Sequence, residues 1–178
     1  MRKQRKSSVV RAVSAGAVAG GAGTVAMDLI EYGRYRRGGG TQRLGPWETA
    51  EGTDKWDNAS GPGQFGRWLV QRVTGRDLPN ESARSVTNVV HWATGVGWGA
   101  QFGILACTRR RPRWELALLF GPAVWLASYV ILPVAKVYRP IWHYDATTLA
   151  RDLSVHVAYG AVTAATFAVL APNVTASG

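Results

Sequence analysis

The stretch from Leu116 to Ala135 reads LALLFGPAVWLASYVILPVA and contains no charged residue. No polar residue recurs at every third or fourth position, so a helix built from it has no face for water. Pro122 and Pro133 lie inside the run, where a soluble helix loses about 3 kcal/mol or more to each proline. Membrane helices accept proline more readily, because neighbouring groups re-satisfy the freed carbonyls. The run also matches the roughly 20 residues that cross a bilayer core. An integral membrane protein is expected, in preference to a soluble four-helix bundle.

Three further apolar runs set the number of spans. They cover about 12–30, 85–108 and 153–171, beside 116–135. The first is built of Ala, Gly and Val, stops at Asp28 or passes it to Ile30, and is the weakest of the four. A cleaved signal peptide is the other reading of that N-terminal segment, but an uncleaved first span fits better beside three others. Charged residues are 18% of the chain, against roughly 25% in soluble domains, and they collect between the runs. The single cysteine, Cys107, excludes an intrachain disulfide framework.

Basic flanks give an orientation. Arg2, Lys3, Arg5, Lys6 and Arg11 precede the first run, and the link Arg109–Arg113 reads RRRPR. With four crossings both lie on one side, so both termini are expected in the cytoplasm. Arg34, Arg36 and Arg37 fall on the other side, but in a long loop, where the rule weakens. The expected fold is all-α, an integral membrane four-helix bundle. Residues 1–11 form a basic cytoplasmic tail, 12–171 a single membrane domain with the external loop 31–84, and 172–178 a C-terminal tail. The basic tail and Arg109–Arg113 are expected to meet anionic lipid headgroups. They lack the interleaved aromatics of a single-strand platform, and no nucleic-acid partner is expected.

The loop divides in two. Residues 34–63 are rich in Gly, Pro and charge and read as irregular. The segment QFGRWLVQRVTGRDLP places Phe65, Trp68, Leu69 and Val73 on one helical stripe, which predicts a short helix in the interface plane or packed on the bundle end. Trp92, Trp114 and Trp142 fall near span ends, where indole rings favour the membrane–water boundary.

Residues spaced by four recur in three runs. The first has Gly16, Gly20, Thr24 and Asp28; the second His91, Gly95, Gly99 and Gly103; the fourth His156, Gly160, Ala164 and Ala168. Spacing of four keeps residues on one helix face, and small residues there let membrane helices approach closely. The third run, with Trp125 and Tyr129, is expected to supply bulk. Asp28 ends one ladder, while His91 and His156 open the other two, so all three are expected at the external side as a polar cluster. Ionisable groups in spans are rare and face the interior or water. No close ligand spacing marks a metal site, no phosphate-binding loop or dinucleotide fingerprint occurs, and no nucleophile–base–orienter trio is visible. No metal, cofactor or catalytic residue is expected.

The segments AGTVAMDLIEY, HWATGVGWGAQFG and YRPIWHYDATTLARDLSVHVAYGAVTA resemble the YagU-like group, a family of uncharacterised bacterial multi-pass inner-membrane proteins. The last segment, with Trp142, Tyr144, Asp145, Asp152, His156, Tyr159 and Gly160, carries most of the resemblance; the first loop carries little. The resemblance implies a small four-span α-helical protein of the bacterial inner membrane and no established activity. It also suggests two repeated helical hairpins, with His91 and His156 equivalent. Two functions are expected from these readings. The first is a non-enzymatic structural or interaction role, with a membrane partner or a second copy bound through the small-residue faces. The second is a small transporter, channel or proton-responsive protein using Asp28, His91 and His156.

Overall fold

The structure is a computed structural model that describes the backbone of residues 2–108 and 113–172 and the side chains of 8–108 and 115–172. Four long helices dominate: α1 (Arg2–Arg37), α4 (Ala83–Thr108), α5 (Arg113–Val134) and α6 (Ala146–Leu170). Two shorter ones, α2 (Leu44–Glu48) and α3 (Gly61–Thr74), lie between α1 and α4. No strand occurs among the described residues. The side chains of Arg2, Lys3, Arg5 and Lys6, the link at 109–112, the side chains of Arg113 and Trp114, and the tail from 173 onward lie outside the described residues.

Four spans are expected from the sequence. Three helices are long and apolar enough to cross a membrane: Ser8–Arg37, Glu115–Val134 and Ala146–Leu170. The run that looks weakest, the first, is among them. The missing one is α4, which matches the others in length but carries Asn88, His91 and Gln101 within its run. Many outward positions on the long helices are apolar. Val18, Leu118, Leu119, Val130 and Val169 are all more than half exposed, as suits helices able to cross a membrane.

The core rests on close approach of backbones. Helices α1 and α4 run antiparallel and pack more extensively than any other pair. Gly16 faces Gly103, Gly20 faces Gly99, Thr24 faces Gly95, and Asp28 faces His91. The two ladders read from the sequence are thus the two sides of one seam. A Cβ on Gly16 or Gly20 meets main-chain atoms of Gly99, with no room to spare.

A second face of α1 packs on α6, where Gly23 lies against Tyr159 and Thr163. Arg34 clamps the same two helices near their ends, donating to the Arg151 carbonyl at 2.9 Å and to Ser154 Oγ at 2.7 Å. Helix α6 then packs on α5, with Gly160 against Gly121. The expectation that the third run supplies only bulk is corrected here, since Gly121 gives α5 its own point of close approach. On α6 the ladder runs out: Ala164 packs partly against the core, and Ala168 is exposed.

The arrangement is therefore an arc, α4–α1–α6–α5. Helices α5 and α4 meet only slightly, through the ring of Phe120 against Phe102 at 4.9 Å. Phe167 adds a third ring at 5.4 Å from Phe102. The arc leaves the two expected hairpins unequal, because α1 packs broadly on α6 while α5 barely reaches α4.

Local signals place the helix ends. Asp145 caps α6, accepting from the Thr148 backbone N–H at 2.9 Å and its hydroxyl at 2.6 Å. These bonds, the hydroxyl's first, hold the Asp145 carboxyl below its usual range. The cap starts α6 seven residues ahead of the 153–171 span, whose apolar run reveals only the part beyond Asp152. Helix α3 begins at Gly61 with Pro62 in its first turn and ends at Gly75, whose φ of 70° is left-handed. It docks on the first turns of α4 through Gly63 against Thr87 and Gly66 against Val86 and Val90. Leu69 and Val73 stay exposed on α3, so the helix is packed on the bundle end and still offers apolar side chains outward.

The segment read as irregular is more ordered than expected. Helix α2 and a 3₁₀ turn at Trp56–Asn58 lie within it. Trp47 packs against the rings of Tyr32 and Tyr35, which project from the end of α1. Trp56 is buried and donates from Nε1 to the Leu78 carbonyl at 2.8 Å. Arg67 lies over its ring and pairs with Asp77.

Candidate functional site

The loop segments and the loop-side halves of the four long helices line a half-open cavity of about 580 Å³. Its walls are mostly aliphatic and aromatic, and its polar groups converge from different elements. Asp28 enters from α1, Glu48 from α2, Thr87 and His91 from α4, and Asp152 and His156 from α6. Ser128 of α5 lines the opposite wall.

The first polar group continues the glycine seam. Where that seam reaches the cavity, the next rung is a carboxylate facing an imidazole. His91 Nε2 donates to Asp28 Oδ2 at 2.9 Å, and the Asp28 side chain is 10% exposed. Only small rungs below allow the two backbones near enough for this contact.

Glu48 completes this group. Its side chain descends from α2, which the packing of Trp47 against Tyr32 and Tyr35 fixes over the end of α1. One oxygen each of Asp28 and Glu48 and one ring nitrogen of His91 lie within 4.8 Å of one another. Glu48 Oε1 is shut off from solvent without a hydrogen-bond partner. Burial, and next the charge of Asp28, raise the Glu48 carboxyl above its usual range, and His91 opposes them.

The second polar group is on α6. His156 Nδ1 donates to the Asp152 backbone carbonyl at 2.9 Å and lies 3.5 Å from Asp152 Oδ1. Asp152 Oδ2 is buried without a partner. Tyr138 lines the same cavity. Its phenol is pushed up to about 12, by burial first and then by the charges of Asp152 and Tyr144. Tyr159 closes the gap between α6 and α4, its hydroxyl donating to the Gly95 carbonyl at 2.6 Å.

Of the three residues expected to cluster, Asp28 and His91 pair directly. His156 lines the same cavity but bonds to Asp152 of its own helix, so the two histidines are held by different elements. Trp142 is 78% exposed in the turn before α6. Tyr144 packs edge-on against Tyr129 and accepts from the Arg139 N–H at 3.1 Å, and Asp145 serves as the α6 cap. Of these loop residues, only Asp152 lines the cavity.

Sequence reasoning missed Glu48, Thr87, Tyr138 and Tyr159 as cavity residues. Tyr159 had a signal, being three residues beyond His156 and so on nearly the same face. Glu48 had none, because nothing in a glycine-rich loop tells which carboxylate folds back. Comparisons with protein-family models, with curated proteins and with solved structures find no match.

Proposed function

We propose that this chain is a multi-pass protein of the bacterial inner membrane, kin to the YagU-like group, that admits a small cationic solute or proton into the cavity and handles it with Asp28, His91 and His156. The observation that carries this reading is the convergence of two carboxylate–histidine pairs, one between helices and one within α6, on one cavity. Ionisable groups within membrane spans mark ion pathways and proton relays. The class is a small transporter, channel or proton-responsive protein.

The packing supports a fourth crossing. Helix α4 follows α1 rung by rung from Gly103 to His91, so a bilayer spanned by α1 is spanned by α4 as well. Both termini are then cytoplasmic, and the cavity faces outward. With Cys107 replaced, single cysteines at Ser60 and Ala146 are expected to react with a membrane-impermeant thiol reagent in intact cells. A cysteine at Thr108 is expected to react only after lysis. Reaction at Thr108 in intact cells overturns this topology.

The interaction role through small-residue faces is the lesser reading. Gly16, Gly20, Gly95, Gly99, Gly103 and Gly160 all lie against the chain's own helices, which leaves a second copy or a membrane partner other surfaces. The deciding experiment is flux. Proteoliposomes carrying a pH-sensitive dye are expected to relax after an acid jump faster than protein-free vesicles. His91→Ala and His156→Ala are expected to bring the rate back to that of protein-free vesicles. Equal rates for wild-type and protein-free vesicles, across pH 5 to 8 where histidine changes charge, refute the reading.

A further inference from the structure

The geometry points to a divalent transition-metal site formed by Asp28, Glu48 and His91 at the top of the α1–α4 seam. This deepens the reading above by naming the cation, and it rests on that cavity being a binding site.

The donor set is two carboxylates and one imidazole, a mixture suited to ions such as Zn²⁺, Mn²⁺ or Fe²⁺. Their ligand atoms lie within 4.8 Å of one another. Bonds of about 2.1 Å put two ligands on opposite sides of one ion about 4.2 Å apart. A pair at the full 4.8 Å closes by about 0.6 Å for ligands on opposite sides of the ion and by about 1.4 Å for tetrahedral neighbours, a movement that the side chain of Glu48 allows. Solvent in the cavity supplies the remaining coordination positions.

One observation points to a ligand: Glu48 Oε1 is buried with no hydrogen-bond partner, although α2 is held so that this carboxylate aims inward. Buried polar groups are nearly always satisfied. Two carboxylates side by side at low dielectric repel, and a divalent ion bound between them removes that repulsion. The sequence hides the site, because its ligands lie on three elements with no short spacing.

The test uses the full chain, purified in detergent, stripped with a chelator and titrated with Co²⁺ while visible absorption is followed. Wild type is expected to bind one ion per chain with a saturable d–d band. Glu48→Gln, Asp28→Asn and His91→Gln are each expected to weaken binding by more than the roughly 10–100-fold that loss of an outer-shell partner costs. Leu119→Ala, on the outer face of α5, is expected to bind as wild type does. Glu48 sits on α2, outside the helical bundle, so Glu48→Gln is the variant best able to keep its fold, which elution volume and helical circular dichroism check. As a second readout, Zn²⁺ is expected to raise the melting temperature of wild type but not of Glu48→Gln. Absence of a saturable band, or a band unchanged in all three ligand variants, overturns the metal site. If proton flux survives that result, the cavity still handles protons; if flux fails too, the broader reading falls with it.

Discussion

Gly99→Ala is expected to destabilise the protein by at least about 3 kcal/mol, the upper end of the range for overpacking a filled core. A methyl group at this position falls against the carbonyl oxygen of Gly16 and the main chain of Gly20. A long side chain would swing away, but a backbone inside a helix cannot. The helices must then separate along the whole seam, because its rungs share two stiff rods. Gly99→Leu is expected to prevent assembly altogether. Gly97, two residues earlier, has nothing within 4 Å of its Cβ position. Gly97→Ala is therefore expected to be neutral or to gain up to about 1 kcal/mol from helix propensity. Reversible denaturation in mixed micelles, read by circular dichroism, compares the two. Equal stability of Gly99→Ala and Gly97→Ala would falsify the seam.

The second large effect is expected at Phe102. It is 1% exposed, with Phe120 and Phe167 edge-on to it at 4.9 and 5.4 Å. In soluble cores Phe→Ala costs about 3–5 kcal/mol. Here part of that sum vanishes, because lipid tails are as apolar as the core. What remains is lost dispersion and the void, so Phe102→Ala is expected to cost about 2–3 kcal/mol. Leu119, 61% exposed on α5, faces outward, and Leu119→Ala is expected to stay within about 0.5 kcal/mol. The same denaturation assay separates them. A stability loss for Phe102→Ala no larger than that of Leu119→Ala contradicts the role of the three rings as the main link between α4 and α5.

The helices and the main seam were legible because both follow from periodicity. Spacing of four marks a face, and Asp28 and His91 could be placed at one end of it from residue count alone. The partnership of the two ladders, rung against rung, was one step further and required only antiparallel packing. Other features left no periodic trace. Gly23 and Gly121 are single points of close approach, not ladders, and a lone glycine in a helix is ambiguous by itself. Gly63 and Gly66 escaped because the neighbouring aromatics of α3 drew the reading toward an apolar stripe. Helix α4 reads as a span by its length and lack of charge, but Asn88, His91 and Gln101 dilute its apolarity below that of the others. Its glycines are what bury it against α1. Glu48 depends on an aromatic stack between elements that no local pattern announces.

The central place of α1 has a consequence for biogenesis. It is made before α4 and α6, and both faces it buries belong to these later partners. The seam with α4 joins residues such as Asp28 and His91, 63 apart in sequence, and the clamp from Arg34 to Ser154 spans 120. Contacts this remote form late, after the chain between them has been ordered. The newly inserted α1 must therefore wait in the bilayer with its glycine faces against lipid, first until α4 arrives and again until α6 does. A nascent chain halted before Ala146 holds Gly23 open with no Tyr159 or Thr163 to cover it, so this face of α1 is sealed only once α6 has been made.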